Sequence, residues 1–392
     1  MGHPPPPALF PAGGDAVNTA ISPPGIPNAV LGIDASRSTA RQRTGTETYS
    51  LQLIRALLQL PSYHHWRLYF RDAPPPNVFP AAPHIEQRII PFPRLWTHMR
   101  LGAELSLRPP AGLFVPAHAR PLLCPVPTVV TVHDLGYLHF PGMHPRGQRD
   151  YLHWSTRHSA RHATQLIADS EATRNDLIDH YNTDPTLINV IYPGFDPAPF
   201  AAAPDVPAHP NLPETYLLHV GTLHPRKGLT FLLEAMAALR DHPARPMLVC
   251  AGRRGWMYAP ILRQVEELRL EKRIRFLDYV PHEQLPALYR QASMLLLPSL
   301  YEGFGFTPLE SMAAGTPVIC SRSGSLPEVV GDAALTVPAG DAAALAAAIR
   351  RILEESGLRH KLIARGLHRC RQFPLQRSAE KTLAVLEHAF KL

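Results

Sequence analysis

Residues 294–321 read MLLLPSLYEGFGFTPLESMAAGTPVICS, and they contain the clearest indication of the fold class. It begins with a short apolar run, MLLL, and ends with a second one, VICS. Between the two runs, a loop of glycines and aromatic residues leads into a helix that we expect to begin near Thr307. The order strand, helix, strand predicts a unit of two parallel strands within a sheet that helices cover. The stretch therefore indicates the α/β class.

The same alternation of strands and helices continues on both sides of this unit. Between residues 29 and 200, runs such as TVVTV (128–132) alternate with helical stretches such as EATRNDLIDHY (171–181). A second series begins at TYLLHVG (215–221). With 392 residues, 45% of them hydrophobic, the chain has enough apolar material for two cores. We predict two doubly wound, Rossmann-like domains that face a central cleft, because such sheets bind ligands outside the carboxyl ends of their strands.

Changes in composition mark the ends of these domains. Residues 1–28 contain eight prolines and little apolar periodicity, which predicts a disordered tail. Residues 201–214 are rich in proline and alanine and predict the interdomain linker. The N-terminal domain then spans 29–200 and the C-terminal domain 215–373. Residues 374–392 are expected to form a last helix that packs back on the N-terminal domain.

Composition also restricts the partners and the compartment. The formal charge of +7 suits an anionic partner, but the arginines are scattered and not interleaved with stacking aromatic residues, so nucleic acid is not expected. The four cysteines are far apart and form no CxxC pair. Reduced thiols and the absence of a signal-like N-terminus or a long apolar span predict a cytoplasmic protein.

One segment suggests a peripheral contact with the inner face of the cell membrane. PRLWTHMRLGAEL (93–105) combines Trp96 and Met99 with Arg94 and Arg100. Such a mixture of apolar and basic residues suits a lipid-linked acceptor or a membrane surface, although ordinary helix packing is the simpler explanation.

The acidic residues of the opening stretch indicate a polar pocket. Seven residues separate Glu302 from Glu310. We expect Glu310 in the first turn of the helix and Glu302 in the loop before it, so that both reach one pocket at the helix N-terminus. Two acidic residues near a helix start also fit as simple complements of the helix dipole. That interpretation does not explain the flanking glycines or an exposed aromatic pair, Phe304 and Phe306.

Two further segments place polar residues at the ends of predicted strands. HVGTLHPRKGL (219–229) puts Arg226 and Lys227 between a strand and a helix N-terminus, which suits a diphosphate, although a solvated pair is the plain alternative. TVVTVHD puts His133 and Asp134 at the carboxyl end of a strand. A structural histidine is the competing interpretation there.

The first domain offers one weaker feature, and the sequence lacks the usual phosphate and metal motifs. Gly45, in STARQRTGTETY (38–49), turns the chain into a helix whose amides suit a phosphate or a sugar hydroxyl, or it forms an ordinary turn. The sequence contains no GKS or GKT loop, no pair of aspartates spaced as DxD, and no Cys/His cluster with ligand spacing. We therefore expect neither a metal nor another cofactor.

The ordered set of motifs resembles the family-four glycosyltransferases of the GT-B fold, in particular the bacterial mannosyltransferase-like branch. The motifs are VHDLGYLHFP, ADSEATRNDLI, VIYPGFD, VGTLHPRKGL, AGRRGW, PHEQLPALYRQASMLLLPSLYEGFGFTPLESMAAGTPVI and SGSLPEVVGDAAL. The resemblance implies a retaining enzyme of polysaccharide or glycoconjugate synthesis. Such an enzyme moves a hexose of the mannose or glucose type from a nucleotide-diphosphate sugar to a glycan or lipid-linked acceptor.

The resemblance also assigns roles to residues. Arg226 and Lys227 hold the diphosphate, Glu310 binds the ribose hydroxyls, Glu302 faces the transferred sugar, and His133 lies near the reacting centre. The implied catalytic residues are His133, Arg226, Lys227 and Glu302. The implied donor-binding residues are Gly45, Gly221, Thr222, Arg226, Lys227, Tyr279, Val280, Glu302, Gly303, Phe304, Gly305, Phe306, Thr307 and Glu310, with the backbone near Tyr279 and Val280 meeting the base.

The chain departs from the family pattern at two places, and two other functions stay open. Thr222 replaces an arginine that many relatives carry after the strand, and the loop at Gly45 lacks the common paired glycines. A disaccharide phosphorylase on the same fold, with inorganic phosphate in place of the donor phosphate, is one alternative. A non-catalytic protein that binds nucleotide sugars is the other.

Overall fold

The computed structural model describes residues 29–40, 44–117, 119–201 and 212–392. The predicted tail and most of the predicted linker lie outside these residues. The described strands are β1 (Val30–Asp34), β2 (His65–Phe70), β3 (Ile85–Ile89), β4 (Gly112–Val115), β5 (Thr128–Val132), β6 (Gln165–Ala168), β7 (Ile188–Val190), β8 (Tyr216–Val220), β9 (Leu248–Ala251), β10 (Ile274–Phe276), β11 (Ala292–Leu297), β12 (Val318–Ser321) and β13 (Ala334–Val337).

Helices connect these strands and close the chain. The α-helices are α1 (Gly45–Gln59), α2 (Gly102–Leu107), α3 (Gly136–His139), α4 (Arg146–His162), α5 (Glu171–Tyr181), α6 (Ala198–Ala201), α7 (Leu229–Ala238), α8 (Ala259–Glu267), α9 (Leu285–Gln291), α10 (Phe306–Ala313), α11 (Leu326–Val330), α12 (Ala342–Glu354), α13 (Ser356–Cys370) and α14 (Leu375–Phe390). A π-helical turn, Trp96–Leu101, precedes α2.

The strands form two parallel sheets, which confirms the prediction from the strand-helix alternation. The N-terminal sheet has the order β3-β2-β1-β4-β5-β6-β7, and the C-terminal sheet has the order β10-β9-β8-β11-β12-β13. Each sheet winds outward in both directions from its first strand, so the strand order reverses beside β1 and beside β8. Parallel sheets of this kind place their binding crevices at the carboxyl ends of the strands around that point.

Alternation along the central strands explains how the C-terminal sheet is covered on both faces. Along β11, Leu295 and Leu297 pack in the core on one face, while Met294 and Leu296 pack in the core on the other. All four side chains are at most 1% exposed. Because successive side chains of a strand point to opposite faces, an unbroken apolar run satisfies both layers.

The last helix packs into the core of the N-terminal domain. Ala379, Leu386 and Phe390 of α14 share a buried cluster with Leu53 and Leu57 of α1. At Gly112 on β4, an added Cβ would lie 2.2 Å from the Phe390 ring, so the helix approaches the sheet closely enough to require glycine there.

Direct hydrogen bonds join the two domains beside the cleft. Glu328 of α11 accepts the backbone N–H groups of Glu171 and Ala172, which are the first two residues of α5, at 3.0 and 3.1 Å. The carboxylate thus occupies the positive end of a helix in the opposite domain. None of the helices in the described part of the chain has the length and apolar character needed to cross a bilayer.

Candidate active site

A cavity of about 580 Å³ lies between the domains, and residues of both domains line it. Its lining includes every site residue predicted from the sequence, namely His133, Gly45, Gly221, Thr222, Arg226, Lys227, Tyr279, Val280, Glu302, Gly303, Phe304, Gly305, Phe306, Thr307 and Glu310. These residues follow β5, β8, β10 and β11, begin α1 or lie on α10. Positions that lie up to 265 residues apart in the sequence, from 45 to 310, therefore surround one space.

Lys227 makes a close charge contact on the C-terminal side of the cavity. Its Nζ donates to both carboxylate oxygens of Glu302, at 2.7 and 2.9 Å. Ser299 Oγ donates to the same carboxylate at 2.6 Å. Although burial raises the pKa of Glu302, the charges of Lys227 and Arg226 lower it more, so the net effect is a pKa below the usual value. Glu302 is therefore an anion at neutral pH.

Arg226 reaches across the cleft to the other domain. Its Nη1 donates to Asp134 Oδ2 at 3.4 Å and to the carbonyl of Tyr301 at 3.2 Å. Burial opposes ionisation of Asp134, but Arg226 and a hydrogen bond from the Gly136 amide hold its pKa below the usual value. Two cations and two carboxylates thus face each other across the site. The fold itself holds both cations in place, so they are preorganised for an anionic ligand.

The backbones of the two domains touch at Gly303. A Cβ at this position would lie 2.0 Å from the carbonyl oxygen of His133 and 2.6 Å from Asp134 Cβ. Two residues later, Gly305 has φ +94° at the N-cap of α10, a conformation that favours glycine. The loop therefore brings the amides at the start of α10 to the cavity, which is a suitable arrangement for phosphate or sugar hydroxyls.

Glu310 lies deeper along α10 than predicted. The helix begins at Phe306, so Glu310 is its fifth residue and not part of its first turn. Burial raises the pKa of Glu310, and the hydrogen bond that Tyr289 donates at 2.7 Å only partly offsets this effect. The carboxylate is thus held by a fixed partner while it lines the cavity.

The prediction of an exposed aromatic pair was wrong for Phe304. This ring is only 5% exposed. It packs near Phe306, Tyr192 and Phe373, with ring centroids 5.4 to 6.2 Å apart. Because Tyr192 and Phe373 are distant in sequence, the local pattern contained no sign of this contact.

His133 is held by acceptors at both ring nitrogens. Nδ1 lies 2.6 Å from Asp169 Oδ2, and Nε2 donates to the carbonyl of Pro116 at 2.9 Å. Burial lowers the pKa of His133. The Asp169 charge and both hydrogen bonds together outweigh this effect, so the net shift is upward. Burial also raises the pKa of Asp169. Whether His133 or Asp169 carries the proton that they share, that proton lies between Oδ2 and Nδ1. A second proton is on Nε2, because the Pro116 carbonyl can only accept. No ring lone pair is therefore left to act as a base.

The start of α1 closes the N-terminal side of the cavity. Thr44 caps the helix, and its backbone N–H donates to Glu47 at 3.0 Å. At Gly45, an added Cβ would lie 3.8 Å from the Phe306 ring of the opposite domain. The turn predicted at Gly45 thus faces the start of α10. Residues 41–43 of the predicted segment are outside the described chain.

Several lining residues were missed by the sequence reasoning. Arg253 and Trp256 follow β9, and His144 and Gln148 lie on or before α4. The sequence does contain a signal for Arg253 and Trp256. AGRRGW (251–256) places arginines after the end of a strand, and Arg226 likewise follows a strand end. For His144 and Asp169, no local spacing singles them out among the other histidines and aspartates.

Comparisons with known proteins identify the class. Residues 43–199 match the model described as Glycosyltransferase Family 4, and residues 206–369 match the model described as Glycosyl transferases group 1. The O-antigen chain mannosyltransferase B of Escherichia coli is 34% identical over 270 residues, which make up 67% of this chain and 70% of that protein. The chain belongs to the family-four glycosyltransferases, and the protein is a glycosyltransferase, as its motifs predicted.

More distant relatives agree on the class and the fold. A D-inositol 3-phosphate glycosyltransferase of Corynebacterium glutamicum (strain R) is 33% identical over 245 residues, 58% of each chain. The sucrose-phosphate synthase structure from Thermosynechococcus elongatus covers 93% of this chain and 100% of its own, with a TM-score of 0.75 and 23% identity. HepE of Anabaena, solved with UDP and glucose, covers 92% and 99%, with a TM-score of 0.70 and 18% identity. The predicted GT-B fold is confirmed.

Proposed function

We propose that the protein is a retaining hexosyltransferase. It transfers a sugar of the mannose or glucose type from a nucleotide-diphosphate donor to a glycan or lipid-linked acceptor. The observation that carries the proposal is the convergence of Arg226, Lys227, Glu302 and Glu310 on one cavity between two Rossmann-like domains. The names of relatives support a hexose, since one is a mannosyltransferase and another was solved with UDP and glucose.

The donor diphosphate is assigned to the cation pair. Both cations now face carboxylates, at 2.7 Å for Lys227 and 3.4 Å for Arg226. A diphosphate that enters the cavity competes with Glu302 and Asp134 for the two cations. The same carboxylates hold the Lys227 and Arg226 side chains at the cavity, where they can bind it. Arg253, which lines the same cavity beside Thr222, is our candidate for the contact that an arginine at position 222 makes in many relatives.

The rest of the donor extends along α10 and the adjacent strand ends. Glu310, fixed by Tyr289, accepts hydrogen bonds from the ribose hydroxyls. Glu302 and the amides that follow it face the hexose, and the backbone near Tyr279 and Val280 meets the base. Glu310, Glu302, Tyr279 and Val280 all line the cavity. A charged acceptor strengthens a hydrogen bond roughly twofold relative to a neutral one, which favours carboxylates for binding hydroxyl groups.

The chemical step is cleavage of the anomeric C–O bond through an oxocarbenium-like state. Arg226 and Lys227 stabilise the charge that develops on the leaving diphosphate. The acceptor hydroxyl attacks from the face that the leaving group vacates, so configuration is retained. Because His133 uses both ring nitrogens in hydrogen bonds, it does not take the acceptor proton, and the departing phosphate oxygen does. The cations already provide the electrostatic stabilisation, and we propose that no metal is required.

The acceptor side belongs to the N-terminal domain. His144 lines the cavity, and within the described residues its Nε2 is buried without a hydrogen-bond partner. Burial, reinforced by Arg226, lowers the pKa of His144, so it is neutral at pH 7 and suited to bind an acceptor hydroxyl.

The segment 93–105 supports contact with a lipid-linked acceptor at the cytoplasmic membrane face. Trp96 is buried, but Leu95 and Met99 are 62% and 55% exposed. Leu123, whose backbone would contact a Cβ at Gly102, is 69% exposed and extends the same surface. An apolar surface of this kind suits the membrane interface.

A panel of nucleotide sugars tests the proposal. The full chain is incubated with GDP- and UDP-linked hexoses, and nucleotide release and thermal stabilisation are followed with and without EDTA. We expect one donor to stabilise the protein and to release nucleotide, with no loss in EDTA. Phosphate-dependent cleavage of a disaccharide without nucleotide would instead indicate a phosphorylase, and stabilisation without any turnover or transfer would indicate a binding protein.

A further inference from the structure

A cluster of His139, Asp176 and His180 lies beside the cleft and has no part in the proposed reaction. His139 is the last residue of α3, whereas Asp176 and His180 stand four residues apart on α5. A separation of four places both side chains on the same face of a helix. The cluster is thus presented by two helices of the N-terminal domain.

The potential ligand atoms are already close together. One ring nitrogen of each histidine and one carboxylate oxygen of Asp176 lie within 4.8 Å of one another. His139 Nε2 is 2.9 Å from Asp176 Oδ1, and the two imidazole rings are 5.4 Å apart at 84°. The Asp176 side chain is 12% exposed and that of His139 is 35% exposed. An ion therefore has access from solvent, and only small side-chain movements separate these atoms from a common centre.

The chemistry of the set favours a transition metal. Two imidazoles and one carboxylate are the ligands that Zn²⁺ accepts at about 2.0–2.2 Å, with water in the remaining position. Mg²⁺ and Ca²⁺ prefer sites made of oxygen atoms, so they are not suited to this one.

A residue of the opposite domain completes the surroundings of the carboxylate. The Tyr301 hydroxyl donates to Asp176 Oδ2, and its ring stacks on His139 with centroids 4.7 Å apart. Tyr301 directly precedes Glu302, and its carbonyl accepts from Arg226. Hydrogen bonds to a ligating carboxylate orient it and tune its affinity for the metal. The second oxygen of Asp176 is therefore tied to the loop that carries the donor-side residues.

We propose that His139, Asp176 and His180 form a Zn²⁺-binding site that Tyr301 connects to the donor-binding loop. The ion binds to the N-terminal domain, and Tyr301 from the C-terminal domain holds the coordinating carboxylate. Occupancy strengthens the contact between the domains next to Glu302 and is separate from the chemical step.

Direct metal titration tests the site. The full chain, without an affinity tag and stripped with EDTA, is titrated with Zn²⁺ against a chromophoric chelator and with Co²⁺ by visible absorption. His180→Gln and Asp176→Asn each remove one ligand, and Tyr301→Phe keeps the ring but removes the hydroxyl. His360→Gln is the matched control, because His360 is exposed on α13 and outside the cluster. Circular dichroism verifies that each variant is folded.

We expect the wild-type chain and His360→Gln to bind one Zn²⁺ with equal affinity and to give the same Co²⁺ spectrum. His180→Gln and Asp176→Asn should lose this binding, and Tyr301→Phe should weaken it about 10- to 100-fold. Equal Zn²⁺ affinity in folded His180→Gln and His360→Gln, or no competition by the wild-type chain, would overturn the site. Unchanged affinity in Tyr301→Phe would overturn the link to the loop.

Discussion

Lys227→Ala removes the ammonium group that contacts both oxygens of Glu302 and that we assign to the leaving diphosphate. Loss of one preorganised donor to a developing anion typically costs about 2.7–4 kcal/mol, or 10²- to 10³-fold in turnover. The effect on folding should be smaller. Breaking a fully buried ion pair costs about 3–5 kcal/mol, but the Lys227 side chain is 20% exposed, and Ser299 still donates to Glu302. We expect a loss of about 1–3 kcal/mol of stability.

A double variant separates the two effects. Combining Lys227→Ala with Glu302→Gln removes the uncompensated carboxylate, so the thermal midpoint should recover while turnover remains at least about 100-fold below wild type. Lys361→Ala, at an exposed lysine of α13, is the control for general loss of charge. The assay is nucleotide release at saturating donor, together with calorimetric unfolding. Wild-type turnover in Lys227→Ala would remove Lys227 from the mechanism. Recovery of turnover in the double variant would show that Lys227 serves only as a counterion for Glu302.

Two other substitutions test the geometry of the site, and a third tests the pH dependence of stability through His219, a fully buried residue of β8. Gly303→Ala places a methyl group 2.0 Å from the His133 carbonyl oxygen, so the domains must separate and turnover should fall at least about tenfold. Gly357→Ala is the control, because a Cβ there has nothing within 4 Å, and its turnover should equal that of the wild type. Glu310→Gln keeps an acceptor for Tyr289 but loses the charge. The KM for the donor should therefore rise about 5- to 10-fold with little change in thermal midpoint. An unchanged KM would exclude the assigned ribose contact. Burial lowers the pKa of His219 from 6.5 to about 4, so the unfolded chain binds the extra proton as pH falls below 6.5. Between pH 7 and 5, chemical denaturation should show that His219→Asn loses about 2 kcal/mol less stability than wild type, and parallel curves would refute this.

Much of the fold followed from periodicity and from the positions of strand ends. Apolar runs such as TVVTV and MLLL predicted central parallel strands, and in the structure side chains of both runs are buried on both faces of their sheets. Residues placed after such runs, including His133 and Arg226, then had to lie at the carboxyl ends, and the structure brings them to one cavity. The catalytic and binding roles themselves came from the ordered motifs and stay predictions.

What the sequence could not supply depends on contacts between distant segments. Phe304 is buried because Tyr192 and Phe373 cover it, and no local pattern connects these positions. Asp169 becomes the partner of His133 only because β5 and β6 are neighbours in the sheet. The close approach at Gly303 likewise exists only when the two domains are in contact.

The stereochemistry of the product tests the central claim most directly. Once the donor panel has identified a nucleotide sugar and an acceptor, the anomeric centre of the product is examined by NMR, through its proton signal and its one-bond carbon–proton coupling. We predict the same anomeric configuration as in the donor, with product formed about 10²- to 10³-fold more slowly by Lys227→Ala. An inverted anomeric centre would contradict attack from the face that the diphosphate vacates.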